Sequence, residues 1–133
     1  MLLNTAFLLL GLLSSPASAA CFLVGAKWDD TQASAVGAAE YWCRKATGGQ
    51  AIAGLFHSGD TKSRCSNLYE GTKMTSNRVD FKVKWGGRGD AKLDAEECLT
   101  RLKTEIMGCS HGGSKDEGEW TFTSDPNEGN CGS

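Results

Sequence analysis

Six cysteines in a chain of 133 residues constrain the fold more than any other feature of the sequence. All of them follow a short N-terminal apolar segment, at Cys21, Cys43, Cys65, Cys98, Cys109 and Cys131. An even number of cysteines behind a secretion leader is typical of a small domain stapled by disulfides in an oxidising compartment. We therefore expect three disulfides, and we expect no zinc site because no Cys-x2-Cys pair occurs.

The N-terminal segment has the pattern of a secretory signal peptide. A leucine-rich centre at residues 8–13 is followed by Pro16 and by the small residues Ala17-Ser18-Ala19, the pattern that signal peptidase recognises. The apolar run is shorter than the ~20 residues needed to span a bilayer. We expect a signal peptide at residues 1–19, with cleavage after Ala19 or Ala20. The remainder, residues 20–133, is predicted to form one secreted domain without stable membrane insertion.

Charge and composition exclude some partners. The formal net charge is −2, which argues against a broad basic surface for nucleic acid. No sequence motif for a metal or a cofactor is present, and we expect neither. The sequence does not indicate an oligomeric state.

Two segments have the spacing of amphipathic helices. In the first, an apolar stripe recurs at intervals of three and four residues after Asp30, the predicted N-cap, and Gly48-Gly49 follows it. The stripe comprises Val36, Ala39, Cys43 and Ala46. The second helix is predicted to begin at Asp94, with Glu97 completing a capping-box pattern, and to end at Gly108.

The helices restrict the disulfide pairing. Cys98 and Cys109 would lie roughly 16 Å apart on one continuous helix, which is too far for a disulfide. Cys43 and Cys98 each lie on an apolar stripe, so a bridge between the two helices is favoured. Cys109 and Cys131 would then pair with Cys21 and Cys65, in an order that spacing leaves open.

The clearest strand runs from Arg78 to Trp85. Its apolar residues alternate with charged ones, so one face should be buried and the other should face water. Further strands are predicted at residues 22–28, 51–57, 65–69 and 119–123, with turns or loops at 58–60, 86–90 and 125–129. The predicted fold class is α+β, an antiparallel β-sheet covered on one face by two helices.

The order of these motifs resembles a known group of proteins. A strand is followed by Glu97-Cys98-x-x-Leu, by Gly108-Cys109, by Gly112-Gly113 and by a strand that leads to Cys131. This order resembles that of the killer toxins secreted by smut fungi, the killer protein four group. The segment from Glu97 to Cys131, with its ending Asp125-Pro126-Asn127-x-Gly129-x-Cys131, is also similar to a secreted fungal group that includes a mushroom glycan-binding protein.

The resemblance implies both a fold and a function. It implies a two-helix α/β sandwich with disulfides Cys21–Cys109, Cys43–Cys98 and Cys65–Cys131. It also implies a fungal, extracellular and non-enzymatic protein whose partner is a glycan or another cell-surface component of a different organism.

Exposed aromatic side chains that stack on sugar rings, beside carboxylates that bind hydroxyls, are the features expected of a glycan site. Trp85 and Trp120 are predicted to be core residues because they continue buried strand patterns. Trp28 lies at a predicted strand end beside Asp29 and Asp30, and is predicted to be the exposed platform. Candidate ligand-binding residues are therefore Trp28, Asp29, Asp30, Trp42 and Tyr69.

Two alternatives belong to other functional classes. In the killer toxins a basic residue just before the third cysteine is linked to activity on calcium channels, and Lys62 and Arg64 stand close to that place here, in a predicted solvated loop. The second alternative is a small secreted hydrolase or ribonuclease that uses His57 or His111. No catalytic motif supports the second alternative, and the sequence therefore favours a secreted, lectin-like binding protein over a toxin and over an enzyme.

Overall fold

The computed structural model describes residues 19–132. The predicted signal peptide lies outside the described residues, apart from Ala19. Within residues 19–132 no helix is long and apolar enough to cross a membrane.

The first helix is irregular at both ends. Helix α1, Gln32–Glu40, follows a 3-10 turn at Asp29–Thr31 and continues into a π-helical turn at Tyr41–Lys45. The predicted cap at Asp30 is wrong, because the N-cap position is Thr31 and its hydroxyl donates to the Trp28 carbonyl at 2.6 Å. The buried stripe is as predicted at Ala39 and Cys43.

The second helix is regular. Helix α2, Ala95–Gly108, begins as predicted at Asp94, whose carboxylate accepts a hydrogen bond from the Glu96 amide at 3.0 Å. The predicted capping-box role of Glu97 is not seen; its carboxylate instead accepts from Arg101 one turn later, at 2.7 Å. The apolar face of α2 packs on the sheet.

Six strands form two antiparallel sheets. Strands β1, Gly54–Phe56, and β4, Ala91–Leu93, form a short two-stranded ribbon. The main sheet has the order β2-β3-β6-β5, and its strands are Thr61–Glu70 (β2), Lys73–Trp85 (β3), Gly113–Glu117 (β5) and Trp120–Glu128 (β6).

The core lies between this sheet and the two helices. Val79, Phe81 and Val83 of β3 are buried, as the alternation in the sequence predicts. Phe122 and Ser124 of β6 share the same face, and the Ser124 hydroxyl donates to the Leu102 carbonyl of α2 at 2.7 Å. The predicted fold class, an antiparallel sheet covered on one face by two helices, is confirmed.

Two predicted elements are wrong. Residues 22–28 form a bent loop rather than a strand, with Gly25 at φ 114° and a single bridge from Cys21 to Gly113. Residues 125–128 continue strand β6 instead of forming a turn, with Pro126 opposite Val79 of β3. A proline is tolerated there because β5 pairs with β6 only as far as Ser124, so no neighbour on that side needs an N–H from residue 126.

The three disulfides are Cys21–Cys109, Cys43–Cys98 and Cys65–Cys131, and the predicted pairing is confirmed. Cys43–Cys98 is buried between α1 and α2. Cys65–Cys131 is half-buried and joins β2 to the C-terminal segment.

The Cys43–Cys98 and Cys65–Cys131 disulfides should contribute unequally to stability. Their sequence separations are 55 residues for Cys43–Cys98 and 66 for Cys65–Cys131, so loop closure alone assigns about 4 kcal/mol to each. We expect Cys43→Ala/Cys98→Ala to lower the free energy of unfolding more than Cys65→Ala/Cys131→Ala, because the first also leaves a cavity between the helices. Denaturant unfolding of both variants measures this, and equal losses would contradict the packing contribution.

Candidate functional site

Trp28 is a core residue. Its side chain is 1% exposed and belongs to the hydrophobic cluster beneath the helices. Its amide donates to the Ser110 carbonyl at 3.0 Å, which fixes the loop against the end of α2. The prediction of an exposed platform at Trp28 is therefore wrong: the tryptophan ends an apolar stretch that turns inward before α1.

The other predicted ligand-binding residues do not form one site. Asp29 and Asp30 are exposed at the start of α1. Trp42 lies twelve residues further on, roughly 18 Å along the helical axis, and its indole N–H donates to the Ser66 hydroxyl at 2.9 Å. Tyr69, on β2, is 40% exposed, and its backbone amide donates to the Ser34 hydroxyl at 2.9 Å.

Lys62 and Arg64 are structural cations. They lie within strand β2, so the predicted solvated loop is wrong. The Lys62 ammonium sits 4.1 Å from the centre of the Phe56 ring and donates to the Ile52 carbonyl at 3.1 Å; burial lowers the pKa of this side chain. The Arg64 guanidinium donates to two carbonyls of the preceding loop, those of Gly49 and Gln50. Both cations are thus held against residues 49–52.

The two histidines contact different partners. His57 contacts the exposed Asp90 carboxylate at 2.8 Å, and hydrogen bonding to that carboxylate raises the pKa of His57. His111 contacts the hydroxyl of its neighbour Ser110. In the described part of the chain, no three His, Cys, Asp or Glu side chains cluster in a way that could hold a metal ion.

The face of the main sheet opposite the helices is polar. Residues directly opposite one another on antiparallel strands point to the same face, and the strand register aligns three polar rows across the sheet. The rows are Ser63, Lys82, Thr123 and Ser114; Cys65, Asp80 and Asp125; and Asn67, Arg78 and Asn127. Within residues 19–132 no helix covers this face, and its side chains are open to a ligand there.

The centre of this face is concave. A cavity of about 370 Å³ lies over strands β2, β3 and β6. We call it the polar groove and define it by the side chains Ser63, Asp80, Lys82, Thr123, Asp125 and Asn127. Its volume lies in the range of small-molecule clefts, roughly 300–1,000 Å³.

Two carboxylates face each other in the polar groove. Asp80 and Asp125 are directly opposite on β3 and β6, an arrangement of like charges that destabilises a sheet. The Asp80 carboxylate accepts hydrogen bonds from Arg78 at 2.9 Å and from Asn127 at 2.8 Å. Burial raises the pKa of Asp125, and the charge of Asp80 raises it further. An acid with a raised pKa in a cleft, beside a second carboxylate, makes the groove a candidate functional site.

The sequence predicts the part of the polar groove that lies on strand β3. The alternation from Arg78 to Lys84 predicts a solvent-facing set that includes Asp80 and Lys82. The composition of residues 125–129 predicts a turn, and this prediction separates Asp125 and Asn127 from the sheet. The alternation from Trp120 through Phe122 and Ser124 to Pro126 was the available signal for a longer strand.

The comparisons with known proteins identify the family. A family model described as "Glycan binding domain Y3" matches residues 38–131. The chain belongs to this family. No curated protein matches the sequence.

Membership of the Y3 glycan-binding family indicates a binding protein rather than an enzyme. The matched region contains all four strands of the main sheet and therefore every residue of the polar groove. It excludes Trp28, Asp29 and Asp30, three of the five predicted ligand-binding residues.

Replacement of Trp28 should unfold the domain rather than act on binding alone. We expect Trp28→Ala to lower the free energy of unfolding by about 3–5 kcal/mol, because it empties a buried site. Trp28→Phe should cost less because it retains most of the apolar volume. Calorimetric melting of both variants checks this, and a Trp28→Ala protein that melts normally but loses ligand would restore the exposed-platform interpretation.

Replacement of Asp125 should stabilise the sheet at neutral pH. Because the folded-state pKa is raised, the protonated acid favours folding below its ordinary pKa of 3.8, and this contribution is lost as the pH rises through the raised value. We therefore expect Asp125→Asn to raise stability at pH 7, with the gain vanishing below pH 3.8. Denaturant unfolding at a series of pH values measures this change in stability. Glu119→Gln, in the exposed β5–β6 turn, is the control because it also removes one negative charge. An unchanged or lowered stability at pH 7 would contradict the electrostatic assignment.

Proposed function

We propose that this protein is a secreted, non-enzymatic, lectin-like protein that binds a glycan in the polar groove. The observation that carries the proposal is the convergence of Asp80, Asp125 and Asn127 on the uncovered sheet face of a domain from a glycan-binding family. The leader-like N-terminus and the three disulfides support action outside the cell.

The chemistry of the groove suits sugar hydroxyls. A hydroxyl both donates and accepts, so it needs acceptors and donors close together. The carboxylates of Asp80 and Asp125 and the side-chain oxygen of Asn127 supply acceptors, while the Lys82 ammonium and the Ser63 hydroxyl supply donors. Hydrogen bonds to charged groups are stronger than neutral ones, which suits a ligand that must be taken from water.

The ordered network favours binding without large rearrangement. Arg78 and Asn127 hold the Asp80 carboxylate in place, and the groove rests on a central pair of strands, β3 and β6. Preorganised polar groups lose little conformational entropy on binding. The cleft volume fits a short glycan segment, and the glycan we propose as partner is one displayed on the cell surface of another organism.

A second surface, on α1 and the adjoining end of β2, is a candidate for additional contacts with the glycan. Tyr41 is 48% exposed and its ring lies 5.0 Å from that of Trp42, edge to face. The predicted contacts at Asp29, Asp30, Trp42 and Tyr69 lie on the side of α1 and β2, away from the polar groove. Their variants therefore distinguish the two surfaces.

The first experiment is a glycan array with the oxidised protein, residues 20–133, followed by titration calorimetry of the positive glycans. We expect Asp125→Asn and Asn127→Ala each to weaken binding about tenfold or more, equivalent to ~1.4 kcal/mol. Glu119→Gln, which removes an acid outside the groove, should bind normally.

The outcomes separate the candidate surfaces and functions. Normal binding by the groove variants, with loss in Trp42→Ala or Asp30→Asn, would place the site on α1 instead. Mass spectrometry should recover the glycan intact, since a shortened glycan would indicate hydrolysis by the paired carboxylates. A blank array, together with growth inhibition that is lost in a Lys62→Ser/Arg64→Ser protein of normal stability, would favour the toxin alternative.

A further inference from the structure

A buried acid stands outside the polar groove. Glu105, on the inner side of α2, is 1% exposed. Burial raises the pKa of its carboxyl group. An ionised carboxylate in such a place costs several kcal/mol unless a cation compensates it. A positive charge within hydrogen-bond distance of the Glu105 carboxylate would offset this cost.

The backbone nitrogen of Ala20 lies against this carboxylate. It donates to Glu105 Oε2 at 3.3 Å. The segment that carries it is fixed on both sides: the Ala20 carbonyl accepts from the Ser114 amide at 3.0 Å, and the Phe22 amide donates to the Gly112 carbonyl at 2.8 Å. The Cys21–Cys109 disulfide anchors the same segment. The position of the Ala20 nitrogen is therefore set by the fold.

Gly113 makes this approach sterically feasible. A Cβ atom at residue 113 would lie 2.0 Å from the Ala20 carbonyl oxygen and 2.9 Å from Glu105 Cγ. Real atoms cannot approach so closely, so only glycine lets the Ala20 segment pair with β5 beside the acid. Gly113 of β5, Glu105 of α2 and the Ala20 segment are therefore in mutual contact.

We propose that Ala20 is the first residue of the mature protein and that its α-ammonium group forms an ion pair with Glu105. Hydrolysis of the Ala19–Ala20 peptide bond by a peptidase consumes one water; Ala19 leaves with the new carboxylate and Ala20 keeps the nitrogen as an amine, which takes up a proton at neutral pH. An uncharged amide with one hydrogen becomes a cation with three. Removal of the leader would thereby add a positive charge at hydrogen-bond distance from the buried carboxylate, beyond the attraction that Lys115 already provides.

The geometry also selects between the two cleavage sites that the leader pattern allows. Cleavage after Ala20 would remove the carbonyl that accepts from Ser114 and would place the free amine on Cys21, one residue beyond the carboxylate. Cleavage after Ala19 keeps every contact of the segment. Ala20 is exposed as a residue, so its ammonium keeps water on its outer side and is desolvated only in part.

Other charges face Glu105 from the neighbouring elements. Lys115 and Glu117 of β5 lie nearby, and their charges act on the Glu105 carboxyl in opposite directions. Arg101, one turn earlier on α2, is paired with Glu117 at 3.4 Å. The contributions from β5 therefore partly cancel, whereas the amine of Ala20 adds a full positive charge at hydrogen-bond distance.

The test begins with the secreted protein itself. Intact mass and N-terminal sequencing should give Ala20 as the first residue. NMR titration of its α-amino group should give a pKa above the ordinary value of about 7.7, and Glu105→Gln should return it to that value. Glu117→Gln, which removes a neighbouring acid that does not touch Ala20, is the matched control and should leave the amine pKa raised.

A thermodynamic cycle separates the ion pair from general packing. A protein that starts at Ala19 keeps the Ala20 nitrogen as an amide, and we expect its melting temperature to fall by several degrees in the wild type but not in Glu105→Gln. Because the amine pKa is raised on folding, this difference should be full near pH 7 and should disappear as the pH rises through the raised amine value. It should also fade in acid, where Glu105, whose pKa is raised above 4.5, takes up a proton and the ion pair is lost.

Three results would overturn the proposal: a secreted protein that starts elsewhere, an ordinary amine pKa, or an Ala19 extension that is equally harmful in both backgrounds. None of these measurements involves a glycan, so they leave the proposed function untouched.

Discussion

The disulfide between Cys43 and Cys98 is the constraint on which the rest of the structure depends. It ties the π-helical end of α1 to the first turn of α2 and so holds both helices on the same face of the sheet. Because both apolar stripes are used there, no helix of the described residues 19–132 is left to cover the other face. A sheet with one uncovered face must place polar side chains on it, and the polar groove is the result.

On the uncovered face, the opposed carboxylates of Asp80 and Asp125 do not favour stability. A sheet optimised only for stability would not place Asp80 opposite Asp125. Here Asp80 is retained by donors from Arg78 and Asn127, while Asp125 remains with its pKa raised by burial. Such a pair lowers stability but gives two acceptors with different hydrogen-bond environments within one groove. This is the pattern expected where a ligand, rather than the fold, completes the hydrogen bonds.

Periodicity predicted the elements that are long and amphipathic. Helix α2 and the second half of β3 follow from alternation and spacing, and the helix–helix disulfide follows from the two stripes. Composition misled at Asp125–Glu128, because Asp, Pro and Asn favour turns, whereas pairing with β3 and the end of β5 make a strand with proline possible. It also misled at Trp28, since a tryptophan beside two acids is compatible with either exposure or burial, and only tertiary packing decides between them.

Burial affects two carboxyl groups in this domain, those of Asp125 and Glu105, in very different surroundings. Burial raises the pKa of both carboxyl groups. Asp125 opens onto the polar groove on the uncovered face, so a ligand can reach its carboxylate. Glu105 lies on the buried face of α2 and accepts a hydrogen bond from a backbone nitrogen of the chain's own N-terminal segment. A fixed carboxylate beside a fixed nitrogen gains most when that nitrogen acquires a charge, and in our proposal peptide-bond hydrolysis at the leader provides that charge. In the same view, a bound ligand offsets the burial of Asp125 on one side of the sheet, and the mature N-terminus offsets the burial of Glu105 on the other.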